Sequence, residues 1–235
     1  MVVAAACVRL GIWQLDRLDQ RRAFNTEVRA ALASGPVTLA SVLSGGEDPT
    51  YRRVRADGRW DRTHEVILFG RSLDGRPGNH VVTPFLLEDG QAVLVDRGWV
   101  PTELSEPPAT GEAAAADGMV RIEGILLPSA DAGAGGDAGA GAATEPLPPQ
   151  VREIDVGALD VAMPATLVPH VYLLLERQAP PASRPVPAPL PELTEGPHLS
   201  YAIQWFAFAA IALIGYGLLV RRGRRTVAAP QATSA

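Results

Sequence analysis

Four histidines, His64, His80, His170 and His198, and one cysteine, Cys7, are the side chains of this 235-residue chain best suited to hold a metal or attack a carbon. A lone cysteine forms no intrachain disulfide and cannot assemble the Cys/His clusters of structural zinc or iron–sulfur sites. His64, His80 and His170 lie in or beside strand-like runs with no partner at metal-site spacing, so surface or hydrogen-bonded structural roles suit them best. His198 stands elsewhere. Gly196-Pro197-His198 reads as a helix entrance, with proline suited to the first helical position. The helix's positive end favours the neutral, metal-ligating form of the imidazole. Tyr201, Trp205 and Phe208 follow at helical spacing. One face would then carry a nitrogen ligand above a stripe of aromatics, a wall suited to a flat, hydrophobic macrocycle carrying iron. The same residues also read as an interfacial aromatic belt with a snorkelling histidine, and spacing alone leaves both open.

Catalytic signatures are scarce. The sequence contains no HExxH, GxSxG, CxxC or P-loop, and none of its 26 carboxylates is singled out as a catalytic pair. The glycines of GAGGDAGAG resemble a dinucleotide fingerprint superficially, but the expected strand, helix and downstream ribose acid are missing. A net charge of −5 argues against a nucleic-acid partner, which would leave a basic patch or stripe. The absence of lysine beside 21 arginines, with abundant Ala, Gly and Pro, fits codon choice in a GC-rich genome.

The elements that must position His198 begin with a membrane helix. Tyr201–Val220 is a twenty-residue apolar run with Gln204 as its only strongly polar side chain, and Arg221, Arg222, Arg224 and Arg225 follow at once. Twenty residues at about 1.5 Å each cross a hydrocarbon core of about 30 Å. The arginines place the tail, 221–235, in the cytoplasm and what precedes 198–220 outside. All 26 acids lie between Asp16 and Glu195, against 16 arginines, so this stretch carries −10. Residues 1–15 are apolar apart from Arg9 and Gln14, too short to span a bilayer unaided, and lack a signal peptide's basic start and cleavage site. They read either as a buried or interfacial helix or as a first transmembrane helix whose opening turns precede the assigned start.

Residues 16–197 read as an extracytoplasmic domain. Asp16–Ala33 is helical and stops at Gly35-Pro36. Strand-like runs follow at Tyr51–Trp60, Glu65–Arg71, His80–Leu87, Gln91–Val100, Val120–Leu127, Arg152–Asp155 and His170–Arg177, with turns at Asp74-Gly75 and Asp89-Gly90 and a helical turn near Val156–Val161. This spacing predicts an antiparallel, β-rich, barrel-like domain. The Ala/Gly segment 130–143 reads as a flexible loop, and 179–191 as a polyproline spacer that sets distance more than it makes contacts.

Five ordered blocks sharpen this reading: LGIWQLDR (Leu10–Arg17), VRADGRW (Val54–Trp60), GNHVVTPF (Gly78–Phe85), VDRGWVP (Val95–Pro101) and HLSYAIQWFAFA (His198–Ala209). In their order and membrane flanks they resemble the SURF1 family (bacterial SURF1-like, Shy1-related proteins). The resemblance implies an α+β membrane protein with two transmembrane helices, the first incomplete here, around an extracytoplasmic domain, both termini being cytoplasmic. It further implies a multi-pass protein of the bacterial plasma membrane that assists assembly of an aa3-type cytochrome c oxidase, binds haem a and presents it to oxidase subunit I. By that resemblance His198 matches the proposed haem-iron ligand. Tyr201 and Trp205 join it as candidate cofactor-binding residues, no residue is catalytic, and haem a synthase is a further possible partner beside membrane lipid. The alternatives are a scaffold for an oxidase assembly intermediate that never touches haem and, less favoured, an enzyme modifying the cofactor's side chains. Within the blocks, Gly58 reads as a site of close backbone approach and Trp99 as core filling. Arg97 or Arg71 reads either as one half of a structural ion pair or as a partner for a haem propionate.

Overall fold

The computed structural model describes residues 2–130 and 147–227, with side chains as far as Arg222. The expected Ala/Gly loop and the basic tail fall outside the described residues, apart from their first members. The chain divides into two units, Met1–Arg29 with Glu192–Ala235, and Ala30–Pro191.

In the first unit, the apolar N-terminal run and the charged stretch after Asp16 form one helix, α1 (Val2–Ala33). It contains no proline and a single glycine, so nothing in the sequence breaks it. Its buried positions, Ala4, Cys7, Gly11, Leu18, Asn25 and Val28, recur at the three, four and seven steps of one helix face. Asn25 holds its place there by donating to the Thr194 carbonyl (3.1 Å). Arg22 meets Glu195 with a two-pronged pair of bonds (3.0 and 2.9 Å). The second long helix, numbered α4 below, spans His198–Val227 and buries Ala202 and Ala209. Its His198–Arg222 stretch, with mean hydropathy 2.0, is the one helix among the described residues long and apolar enough to cross a membrane.

The second unit is built on β1 (Val37–Thr38), α2 (Leu39–Ser44), β2 (Arg53–Trp60), β3 (Val66–Leu73), β4 (Arg76–Leu87), β5 (Ala92–Pro101), β6 (Val120–Pro128), β7 (Gln150–Val151), α3 (Val156–Asp160) and β8 (Val171–Ala179). The strands form one sheet in the order β1-β2-β6-β8-β5-β4-β3-β7, with β2 also paired to β4. The twelve-residue β4 makes this possible, because its first half pairs with β3 and its last three residues with β2. The pairings β2–β6–β8–β5–β4–β2 thus close a circuit. Alternate residues of these five strands, among them Val54, Phe85, Val95, Ile122 and Leu173, share one core. On the outer face of β4 and β5, Val82, Ala92 and Leu94 pack against Val156 and Leu159 of α3. β5 is buried on both faces, which explains why apolar residues fill consecutive positions from Ala92 to Val95.

Three expectations need correction. The sheet is not purely antiparallel: β5 pairs with β8 in parallel (Val95↔Leu173, Asp96↔Leu174), as do β1 with β2 and β3 with β7. Arg152–Asp155 is not a strand, since Asp155 caps α3 by accepting from the Ala158 amide (2.9 Å). The proline-rich segment makes firm contacts. Val186 exchanges two backbone hydrogen bonds with Trp99 (2.7 and 2.9 Å), and Ala188 and Leu190 pack on the cluster of Ile125, Leu127 and Leu174. This docking needs Gly98, whose φ is +111° and whose absent Cβ would stand 2.1 Å from the Val186 carbonyl oxygen.

Gly58 is the closure point of the circuit, paired with Leu87 on one side and Val120 on the other. A Cβ there would lie 2.2 Å from the Leu86 carbonyl oxygen and 2.7 Å from the Phe85 ring, so β4 reaches β2 only because residue 58 has no side chain. Gly58→Ala should cost at least the roughly 1–3 kcal/mol of overpacking, and Trp99→Ala, at a 4% exposed site, about 3–5 kcal/mol. Both should appear as lower melting temperatures and lower abundance.

The Arg22 guanidinium, by hydrogen bond first and charge second, holds the Glu195 carboxyl below its ordinary value. An acid so depressed stabilises the folded contact above the ordinary carboxylate range and loses that contribution as pH falls through the depressed value. Amide protection at residues 192–195, corrected for intrinsic exchange, should therefore be retained at neutral pH and drop below about pH 4. Glu195→Gln should show the low-pH protection at every pH.

Candidate functional site

His198 is the first residue of α4, half-buried, with its Nδ1 2.9 Å from Gln14 Oε1 of α1. With the Gln14 carbonyl as acceptor, Nδ1 carries the proton and donates it, leaving Nε2 as the lone-pair nitrogen. Nε2 has no hydrogen-bond partner among the described residues. Gly196 keeps that edge of the ring uncovered, since a side chain there would begin 3.5 Å from Nε2. One turn along α1, Gly11 faces the Phe206 ring so closely that a Cβ would lie 2.7 Å from it. The two helices therefore meet at two levels, one polar and one aromatic.

The aromatic stripe divides in two. Tyr201 and Phe208 are 47% and 45% exposed, while Trp205 is half-buried and stands edge-on to Phe208 (5.9 Å, 83°). Neither Tyr201 nor Trp205 hydrogen-bonds His198; the residue that does is Gln14, which the candidate set lacked. Its signal was present, because Gln14 is the one side-chain amide in a run apolar apart from it and Arg9, and a polar group there needs a partner. Chemically the arrangement offers one oriented imidazole nitrogen beside exposed aromatic surface. That suits a single axial bond to a planar iron complex. Among the described residues no group of three or more His, Cys, Asp or Glu is placed to hold a metal ion.

The other flagged residues lie in the sheet unit. Arg97 continues the inward series Val93, Val95, so its guanidinium enters the core and lies 5.3 Å from the Trp60 ring. It is fully buried and bonded to Glu65 Oε2 (3.2 Å) and the Ala113 carbonyl (2.9 Å). Glu65 also accepts from Thr83 Oγ1 (2.6 Å) and from the Ala109 amide. Burial pushes the Arg97 guanidinium below its ordinary value while the Glu65 charge pulls it back. This is a structural ion pair. Asp96 follows the outward series Ala92, Leu94 and meets His80 Nδ1 (2.8 Å), with its second oxygen taken by the Gly98 amide. Burial, with Asp96 adding to it, pushes the nearby Tyr172 hydroxyl up to about 12. His64 closes onto Asp61 (2.7 Å), and Arg71 donates to the Arg152 carbonyl (3.2 Å).

Comparison with known proteins agrees with this arrangement of blocks. The model of the SURF1 family matches residues 1–210. A SURF1-like protein of Monosiga brevicollis is 27% identical over 225 residues, covering 91% of this chain and 83% of that protein. An uncharacterized SURF1-like protein of Mycobacterium tuberculosis is 31% identical over 214 residues, covering 88% and 75% respectively. A SURF1-like protein of Rickettsia conorii is 33% identical over 94 residues, covering 39% and 38%. The match takes in both the α1 segment bearing Gln14 and the α4 segment bearing His198, and the chain belongs to the SURF1 family.

Proposed function

We propose that this protein is a membrane-anchored assembly factor for an aa3-type cytochrome c oxidase, which takes haem a as cargo, holds its iron through His198 and presents it to oxidase subunit I. The observation that carries the reading is the bond from His198 Nδ1 to Gln14, which leaves Nε2 as the ligating nitrogen in a fixed ring orientation. Iron in the bound macrocycle would supply the open coordination position for the Nε2 of His198. The chain's own part is to aim Nε2, to offer Tyr201, Trp205 and Phe208 as apolar surface, and to leave the cargo chemically unchanged. Release to subunit I requires that the hold be modest, and a single protein ligand on a half-buried imidazole fits that requirement. Haem a synthase is the partner from which such a cargo would come.

In this reading the sheet unit, whose closed circuit of five strands is a small barrel, lies outside a bacterial plasma membrane, and both termini face the cytoplasm. The apolar start of α1 supplies part of a first span: Val2, Val3, Ile12 and Trp13 are 84%, 67%, 50% and 48% exposed, surface that lipid would cover. The arginines after Val220 supply the orientation. Reporter fusions should place residue Pro149 outside, and a cytoplasmic Pro149 would defeat both the topology and the delivery model.

Protein produced together with the haem a biosynthetic enzymes should purify with haem a, scored by its optical spectrum and by pyridine haemochrome. His198→Ala should lose that haem while remaining inserted and folded. Gln14→Ala should retain haem with shifted bands, because it removes the imidazole's orienting partner and lowers the ligand's basicity. Tyr201→Phe should shift the bands only if its hydroxyl bonds the cargo. Full haem content with an unchanged spectrum in His198→Ala would refute the ligand assignment. A wild type carrying none would favour a scaffold that stabilises an oxidase intermediate without touching haem.

A further inference from the structure

Where β8 diverges from β5, the sheet unit holds a cavity of about 300 Å³ between the end of β8 and the proline-rich strap. Leu175 and the strap prolines give it an apolar wall, while Arg97, Arg177, Arg184 and Gln178 give it donors. Among the described residues of its lining the single carboxylate, Glu176, is already engaged on both oxygens by Arg53 (2.8 and 3.0 Å). Arg177 is drawn outward to Glu123 (2.7 Å) and is 72% exposed. The other two arginines are differently placed. Arg184 reaches Glu112 through Nε at 3.4 Å, yet its Nη1 is buried without an acceptor among the described residues. Arg97 spends both terminal nitrogens on Glu65 and Ala113, and among the described residues its Nε likewise has none.

Two unpaired guanidinium N–H groups on residues lining one cavity are a deficit of acceptors. Folded proteins rarely leave such a deficit unfilled. The group that fills it best has two or more coplanar oxygens and negative charge, since a guanidinium fork matches a carboxylate or phosphate in shape and sign. The volume is at the low end of ligand pockets, and the apolar wall would take the body of a small organic anion. We propose that this cavity binds a small oxyanion, a carboxylate or a phosphate group, seated on Arg184 with Arg97 behind it. The site stands independently of the role given to His198.

The test is titration calorimetry on the full-length protein in detergent, with benzoate and inorganic phosphate as separate probes and chloride matching the ionic strength. At least one probe should bind saturably at millimolar concentration. Benzoate alone would identify a carboxylate with an apolar body, and phosphate alone a phosphate group. Arg184→Gln, at a partly exposed position, should fold and weaken binding about tenfold or more. Glu112→Gln removes the carboxylate competing for Arg184 and should tighten it. Absence of saturable binding by either probe, or equal binding by Arg184→Gln and wild type, would overturn the proposal. Should Arg184→Gln not fold, Glu112→Gln decides alone: tighter binding supports the site, and unchanged or weaker binding overturns it.

Discussion

Taking the Glu65 carboxylate and the Arg97 guanidinium out of water costs several kcal/mol for each ion, and much of the sheet unit is arranged to offset that cost. The pair is contacted from four directions: Thr83 of β4, the Ala109 amide, the Ala113 carbonyl and the face of Trp60 at the end of β2. The partners come from three separate parts of the chain, so the network forms only when those parts are already in register. Removing one ion alone would strand the other, a change that typically costs about 3–5 kcal/mol. The pair thus ties the 109–113 segment, whose Ala113 is fully buried, to a circuit that hydrophobic contacts alone would leave freer to slip.

Much of this architecture was legible because period-two patterning survives wherever a strand has one wet face. β2 reads as alternating buried and exposed residues from Val54 to Trp60, and the hairpin turns at Asp74-Gly75 and Asp89-Gly90 lie where expected. What patterning could not supply is partnership. Nothing in Val95–Asp96 says that its neighbour is Leu173–Leu174 running parallel, since such a pairing depends on a long crossover through the rest of the fold. β1 and β7 have two residues each, too few for any period. The proline-rich strap was misread because composition reports stiffness and says nothing of docking, and the feature that admits it, Gly98, lies far away in sequence.

The candidate site was legible by half. His198 stands out because a histidine opening an apolar helix is out of place, and the aromatics Tyr201, Trp205 and Phe208 follow at i+3, i+7 and i+10. Gln14 could not be assigned to it, because a hydrogen bond across 184 positions leaves no mark on local spacing. The same limit applied to Arg97: the sequence left ion pair and ligand contact open, and only the position of Glu65, on another strand's approach, decided for the ion pair.

The strand order also decides how the sheet ends. Its terminal members are β1 and β7, both only two residues long, while the long strands β2, β4, β5, β6 and β8 spend their hydrogen bonds on one another around the circuit. A long unpaired edge is a template on which a second chain can add, the usual route to edge-to-edge aggregation. The strands of the circuit offer no such template; what stays open is the outer edge of β3 beyond Leu68, where β7 stops pairing after two residues. Copies crowded at one surface would find free backbone chiefly along that short stretch.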